Sequence, residues 1–214
     1  MKKIFFLLLL TPAVVKAQFS KGDAFLGGNV SGSYYHYAPV ENQRNLNYYR
    51  NTNYSYSLSP IFGFFTSKRF ALGGNIEIGR TSTTNVYGTN LNSVKSQSTD
   101  GSVALLGRYF FTFNEKFLFA LTGDVFYSKS QTTNKSADGT ETTDKSNSSG
   151  VHVKPTFLFF PSRRWGFEAS IGSIEFVHSK TVRGQSVMGD TKNDDFKATY
   201  GAISLGLAYY FRKS

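Results

Sequence analysis

The chain has 214 residues, of which 40% are hydrophobic, 16% aromatic and only 18% charged, with a formal net charge of +10 and no cysteine. The missing thiols exclude disulfide scaffolds and cysteine-ligated metal sites, and the length fits one domain or at most two. A helical membrane protein would need a long unbroken apolar span, and a soluble domain would carry about a quarter charged residues. The composition fits neither class.

The N-terminal segment at 1–17 has the features of a cleavable secretory signal. Lys2 and Lys3 precede a short apolar stretch at 4–10, and Val15 and Ala17 occupy the two small-residue positions before Gln18. The apolar stretch is too short to cross a bilayer as a helix. We therefore predict a signal peptide at 1–17, a single mature domain at 18–214, and export from the cytoplasm.

After the signal, large apolar residues alternate with small or polar ones, which is the period of a half-buried β-strand. The seventh of eight such runs loses its phase near Gly172, where a bulge is expected. Short turns near 67–69, 114–116 and 162–164 separate runs two from three, four from five, and six from seven. The other four connections are long and polar, at 38–53, 83–100, 129–150 and 180–197. In chain order, the apolar phase of the eight runs includes Leu26, Leu58, Ile76, Leu105, Leu121, Val153, Phe167 and Leu205.

This order of short and long connections predicts an all-β fold, an eight-stranded antiparallel up-and-down transmembrane β-barrel. Strands of about eleven residues, short periplasmic turns and long external loops are the layout of such barrels. A secreted barrel that binds a ligand in its lumen is the alternative, but its outer face would need charged residues throughout. Because an eight-stranded lumen is narrow, we expect the bulky face to meet lipid and the small-residue face to line the lumen.

Aromatic residues lie near both ends of the predicted strands, where membrane interfaces favour them. Tyr34, Tyr54 and Tyr127 fall toward the end with the long loops. The short-turn end carries Phe64, Phe70, Phe111, Phe117, Phe159, Trp165 and Phe211.

The last run contains the residues of a family resemblance. Ser204, Gly206, Tyr209 and Phe211 place a polar residue, a glycine and two outward aromatics in the order of the C-terminal signal read by the barrel-assembly machinery. By this motif and its architecture, the mature chain resembles the small outer-membrane β-barrels, the OmpA/OmpX-like barrels grouped with porin-family proteins. The resemblance implies an outer-membrane location, with membrane lipid and the assembly machinery as partners. The residues 212–214 follow the last aromatic, whereas the family's aromatic is often terminal.

Five charged residues occupy the inward phase of the runs, namely Glu77, Arg108, Asp124, Lys154 and Glu168. Unpaired burial of such groups is costly, so we expect them to pair. Counting from the short turns places Glu77, Asp124 and Lys154 at one height, with Arg108 and Glu168 lower. We predict a lumenal ion-pair network that plugs the barrel, as the resemblance to OmpA-like barrels also implies. A proton or ion path is the alternative.

No catalytic, cofactor or metal site is indicated by the sequence. His178 and Ser179 are the only adjacent pair with nucleophile chemistry, and Glu175 lies three residues before the histidine. Neighbours in a strand point to opposite faces, which separates these two side chains. The three histidines are scattered, without the spacing of metal ligands. We therefore predict that the protein is not an enzyme.

Basic residues are concentrated at the short-turn rim, and contact with phospholipid headgroups is the favoured interpretation of this collar. Nucleic-acid binding is not expected, because the chain has no glycine-rich phosphate loop. We expect a monomeric structural or surface-interaction barrel that contacts a surface ligand through its external loops. A small-solute channel is the second interpretation and an outer-membrane lipid-modifying enzyme the third. The collar consists of Lys68, Arg69, Lys116, Arg163, Arg164, Arg212 and Lys213.

Overall fold

The structure is a computed structural model that describes residues 19–38, 49–87, 92–183 and 190–212. The predicted signal peptide at 1–17 lies outside these residues. Within the described ranges, no helical segment has the length and apolar character needed to span a bilayer. The eight strands are β1 (Ala24–Tyr37), β2 (Tyr49–Phe65), β3 (Phe70–Tyr87), β4 (Asn92–Thr112), β5 (Phe117–Lys135), β6 (Glu141–Phe159), β7 (Trp165–Val182) and β8 (Thr191–Phe211).

The strands form a closed barrel in which each pairs antiparallel with its neighbour in the sequence. β1 pairs with β8 to complete the ring, from Ala24 opposite Phe211 to Asn29 opposite Gly206. Closure satisfies the backbone N–H and C=O groups within the sheet, which hydrocarbon surroundings require. The predicted eight-stranded up-and-down antiparallel barrel is confirmed.

The predicted strand length of about eleven residues is wrong. β1 has 14 residues, and β4 and β8 each have 21. With a rise of about 3.3 Å per residue and a tilt of about 45°, strands as long as β4 extend about 49 Å along the barrel axis, against an apolar band of about 25 Å. The strands therefore continue well beyond the lipid, through segments that the sequence presented as loops.

The extensions lack hydrophobic alternation because both of their faces are polar. Their side chains bond across strands instead: Thr132 Oγ1 donates to Ser98 Oγ at 3.2 Å, and Asn53 Nδ2 donates to Thr83 Oγ1 at 2.7 Å. Between β5 and β6 the predicted long loop is reduced to a tight turn at 136–140, with Gly139 at φ +85°. A pattern of apolar and polar residues cannot detect strands that have no apolar face.

The loss of phase near Gly172 corresponds to a bulge in β7. The register with β8 shifts between Ile171 and Ser173, and Gly172 has φ +69°, a conformation that favours glycine. A bulge exchanges the faces to which the following residues point. Before Gly172, Glu168 and Ser170 are buried in the lumen, whereas Ile174 and Phe176 after it face outward.

A belt of large apolar side chains surrounds the barrel. Val30 and Leu105 are each 77% exposed, more than a water-facing surface of this extent would tolerate. Lipid is the environment in which a continuous belt of this kind is stable. The bulky phase therefore faces lipid, as predicted. Other members of the belt are Leu26, Leu58, Phe62, Ile76, Val125, Val151, Phe167, Ile203 and Leu205.

Candidate functional site in the barrel lumen

At the short-turn end, inward-facing aromatic rings fill the lumen. Phe19, from the segment before β1, stacks on Phe65 with a centroid separation of 4.1 Å. Its centroid lies 5.1 Å from that of Phe110 and 5.3 Å from that of Tyr210. The rings come from several strands and pack against one another inside the barrel. We call this cluster the aromatic plug: Phe19, Phe25, Phe65, Phe110, Phe160 and Tyr210, none more than 3% exposed.

The plug corrects the expectation that only small residues and isolated charges line the lumen. Phe65, Phe110 and Tyr210 follow the inward phase of their strands, so the sequence did contain the signal. Each of these strands carries such a bulky residue only at the inward position nearest the short-turn end. The small residues on the rest of the inward face concealed this signal. Leu118 and Leu158, both 1% exposed, extend the apolar packing around the plug.

A buried ion pair lies directly above the plug. Arg108 of β4 reaches Glu168 of β7, and its Nη1 donates to both carboxylate oxygens at 2.9 and 3.0 Å. Arg108 Nε donates to Thr122 Oγ1 at 3.0 Å, and the Tyr210 hydroxyl donates to Glu168 Oε1 at 3.0 Å. The two charged side chains are only 3% and 9% exposed. These hydrogen bonds offset the cost of burying the pair and couple it to the plug through Tyr210.

Above the ion pair the lumen widens into a cavity of about 440 Å³. Hydroxyl and amide groups, including those of Ser57, Asn75, Ser102 and Ser128, line much of its wall. Such a cavity is polar and large enough to hold water or a small polar solute. All five predicted lumenal residues, Glu77, Arg108, Asp124, Lys154 and Glu168, contribute to its lining.

A histidine links two carboxylates at one side of this cavity. His152 Nδ1 lies 2.9 Å from Asp124 Oδ1, and His152 Nε2 lies 3.0 Å from Glu175 Oε2. The other carboxylate oxygen of Glu175 is 3.4 Å from Lys197 Nζ. The imidazole also stacks on Phe126 with a centroid separation of 4.2 Å. This chain fixes both ring nitrogens of His152 and connects β5, β6, β7 and β8.

The structure does not pair Asp124 with Lys154, although they lie on adjacent strands. In the register of β5 and β6, Asp124 is opposite His152, whereas Lys154 is opposite Thr122. Across the described ranges, neither Lys154 nor Glu77 has an opposite charge within 4.0 Å. The five predicted residues thus divide into a buried pair, an aspartate bound to histidine, and two charges that face the cavity.

Sequence reasoning missed the roles of His152 and Glu175. His152 stood on the inward phase of its run, but its partners depend on strand register. Glu175 was concealed by the bulge at Gly172, which turns the following odd-numbered residues of β7 toward the lumen. Counting inward positions with a shift of one residue at Gly172 would have placed Glu175 in the lumen.

The structure separates the adjacent pair considered for catalysis. His178 is exposed, and its Nδ1 lies 2.6 Å from Asp194 Oδ1 of β8. Ser179, the next residue along β7, is opposite Ser148 of β6 and less exposed. Within the described residues, no group of three or more His, Cys, Asp or Glu side chains could hold a metal ion.

The C-terminal motif lies at the seam where the barrel closes. Ser204 lines the cavity, and Gly206 lies against the Asn29 side chain of β1, which would have to move to make room for a Cβ. Tyr209 and Phe211 lie on the outward phase with their centroids 4.9 Å apart. The four residues therefore divide between the two faces as the motif predicts, two inward and two outward.

Comparison with known proteins identifies the fold. No protein-family model and no curated protein matches the chain. The outer membrane protein OprG from Pseudomonas aeruginosa superposes with a TM-score of 0.57 at 14% identity, over 92% of this chain and 100% of that chain. A major outer membrane protein from Thermus thermophilus has a TM-score of 0.48 at 12% identity, over 88% and 99% of the two chains. Ail from Yersinia pestis has a TM-score of 0.39 at 11% identity, over 89% and 99%.

The likeness to OprG, at 14% identity, concerns the fold alone. The apolar belt around the closed barrel independently requires a lipid environment. The chain therefore has the fold of the small outer-membrane β-barrels and is a protein of the outer membrane.

Proposed function

We propose that the protein is a non-conducting, monomeric outer-membrane barrel with a structural or surface-interaction role. The aromatic plug is the observation that carries this proposal. Its six rings come from β1, β2, β4, β8 and the segments flanking β1 and β6, and they bury one another across the lumen. The Arg108–Glu168 pair forms a second layer on top of them. We therefore expect two such layers to interrupt any polar path for water through the described barrel.

Phe19 of the aromatic plug lies two residues after the end of the proposed signal peptide. Cleavage of the proposed signal peptide at 1–17 would make Phe19 the second residue of the mature chain. This ring then enters the barrel from the periplasmic side and stacks between Phe65 and Tyr210. The proposed processing and the closure of the lumen are therefore compatible.

A surface role is supported by the strands that continue beyond the apolar belt. β5 and β6 pair without interruption from Phe117 opposite Phe159 to Lys135 opposite Glu141. This ribbon presents a rigid polar surface outside the membrane, to which a surface ligand has access. Tyr48, Tyr49 and Arg50, which precede and begin β2, are a candidate contact patch for such a ligand, and Tyr48 lies outside the described residues.

Conductance of the purified protein in planar lipid bilayers tests the proposal. We expect no steady channels from the wild type. Phe19→Ala is the matched variant for opening the lumen, because it removes the central ring without altering a strand. Steady wild-type channels whose conductance changes with Lys154→Met would contradict the plugged lumen, since Lys154 faces the cavity above it.

A small-solute channel is the second candidate, and the cavity is the observation that favours it. Glu77 and Lys154 face about 440 Å³ of space without an ion-pair partner among the described residues. A channel would need the plug to move aside. Uptake of a small neutral sugar into proteoliposomes, with protein-free liposomes as the control, measures this directly. A lipid-modifying activity is third, and lipid A hydrolysis compared between the wild type and Ser179→Ala tests it.

We also propose that Ser204, Gly206, Tyr209 and Phe211 are read by the barrel-assembly machinery. Phe211 is 53% exposed on the outer face, so it contributes little packing to the folded barrel. Phe211→Ser should therefore reduce assembly in cells while the purified chain still folds in detergent. Ile203→Ser, at an outward position of the same strand, is the control. Equal losses in both variants would mean that only the apolarity of the strand matters.

A further inference from the structure

A separate cavity lies outside the lumen, at the short-turn rim of the barrel. It has a volume of about 360 Å³ and is lined by Gly22, Arg164, Tyr209, Phe211 and Arg212. Two of these residues are cationic and two are outward-facing aromatics. Gly22 has φ +88° and contributes no side chain, which leaves one wall of the cavity open. We call this space the rim cavity.

Arg212 lies against the lower side of the aromatic plug. Its guanidinium carbon is 4.6 Å from the Phe19 ring centroid, 4.7 Å from that of Phe160 and 5.8 Å from that of Tyr210. Its Nε and Nη2 are buried, and neither has a hydrogen-bond partner in the described part of the chain. The rings attract the positive charge, but they provide no oxygen to accept these hydrogen bonds. The rings therefore hold the guanidinium in place, and Arg212 brings its positive charge to the wall of the rim cavity.

Arg164 supplies a second cation at a fixed position. Its carbonyl accepts a hydrogen bond from Tyr210 N at 2.7 Å, which attaches the β6–β7 turn to the end of β8. Its Nη1 donates to the Tyr209 hydroxyl at 3.2 Å, directing the exposed side chain toward the rim cavity. A guanidinium group is well suited to phosphate, because its planar N–H groups can bond two oxygens at once.

The wall of the rim cavity on the lipid side is apolar. Phe211 is 53% exposed, and its ring centroid is 4.9 Å from that of Tyr209. Trp165, 45% exposed, packs against Tyr209 at 5.1 Å. These rings form part of the aromatic girdle, where headgroups and acyl chains meet. A ligand in the rim cavity would thus have an anionic part against the arginines and an apolar part against the rings.

We propose that the rim cavity binds an anionic phospholipid of the periplasmic leaflet. The exposed Arg164 donates to its phosphate, Arg212 attracts that phosphate through its positive charge, and Tyr209 and Phe211 pack against its acyl chains. A free phosphate would use the arginines but not the apolar wall, so the lipid is the better fit. The proposal depends on the location in the membrane and not on whether the lumen conducts.

Quenching of Trp165 fluorescence tests this site, because Trp165 is the one tryptophan of the chain and adjoins Tyr209. The full-length protein is reconstituted in phosphatidylcholine vesicles that contain a small fraction of phosphatidylglycerol with brominated acyl chains. The same fraction of brominated phosphatidylcholine provides the reference. We expect stronger quenching by the anionic lipid, with an apparent affinity about fivefold higher for each participating arginine.

Variants distinguish the rim cavity from the general basic collar. Arg164→Gln and Arg212→Gln should each reduce the preference for the anionic lipid about fivefold. Arg163→Gln is the matched control, since Arg163 is exposed on the same turn but does not line the cavity. If Arg212→Gln does not fold, as judged by heat-modifiable migration on gels, Arg164→Gln decides the test alone.

Three results would overturn the proposal. Equal quenching by the two brominated lipids would show that no anionic headgroup is selected. An equal loss in Arg163→Gln would assign the preference to the whole collar. Full displacement of the brominated lipid by inorganic phosphate would identify a phosphate site that makes no use of the acyl chains.

Discussion

The lower and upper halves of the lumen are built from the same eight strands, yet they differ in packing and in the pairing of their charges. In the lower half, Arg108 and Glu168 are buried, hydrogen-bonded to each other and packed against the aromatic plug. In the upper half, Glu77 and Lys154 face a polar cavity with no opposite charge within 4.0 Å in the described residues. The height of a charged residue above the plug therefore decides whether it stabilises the fold or remains available to solvent and solutes.

The largest expected effect is in the lower half. Arg108→Met leaves Glu168 buried without its cation, which should lower the free energy of unfolding by about 3–5 kcal/mol. Lys154→Met in the upper half should change it by less than about 0.5 kcal/mol. Urea unfolding in detergent micelles, followed by gel migration of the folded form, measures both. The double variant Arg108→Met with Glu168→Met should recover more than half of the loss, because no unpaired charge remains.

Phe110→Ala should be the next most damaging change. It removes a fully buried ring of the plug and leaves a void, at a cost of about 3 kcal/mol. Phe111→Ala is the matched control, because the next residue of β4 is 45% exposed and contacts other aromatics only at the outer surface. We expect it to cost about 1 kcal/mol in the same unfolding experiment. Equal losses would mean that the plug is not packed as a core.

A smaller effect is expected for the histidine between the two carboxylates. His152→Ala removes both hydrogen bonds, to Asp124 and Glu175, but the site is partly open to the cavity. We expect a loss of about 1 kcal/mol in the free energy of unfolding. His178→Ala, which removes a solvent-exposed contact with Asp194, should cost less than about 0.5 kcal/mol. A larger loss in His178→Ala would reverse the ranking of the two sites.

The smallest effect is expected in the turn between β5 and β6, outside the membrane. The Thr140 backbone N–H donates to Asp138 Oδ1 at 2.9 Å, and this bond lowers the pKa of the Asp138 carboxyl below its ordinary value. A lowered pKa in the folded state stabilises the turn above the ordinary pKa, and this contribution is lost as the pH falls through the lowered value. An NMR titration of the Asp138 carboxyl carbon measures the shift. A midpoint at or above the ordinary value of about 3.9 would contradict it.

Much of the barrel could be predicted from local pattern. Alternation identified all eight strands, their outward face and the bulge at Gly172, because each depends only on residues close together in the chain. The same pattern failed at 129–150, where Thr, Ser and Asn on both faces form strands without any apolar signal. The partner of Asp124 could not be predicted, since β6 carries both His152 and Lys154 on its inward phase and only the register distinguishes them.

The sequence by itself determined that this protein is a closed barrel with one face toward lipid, because a period of two assigns every residue to a face. Only the tertiary structure decided what the inward residues do. The aromatic plug, the Arg108–Glu168 pair and the chain from Asp124 through His152 to Glu175 each join residues of different strands at the same height. Height depends on the register between neighbouring strands, and register is a property of strand pairing that no single strand contains.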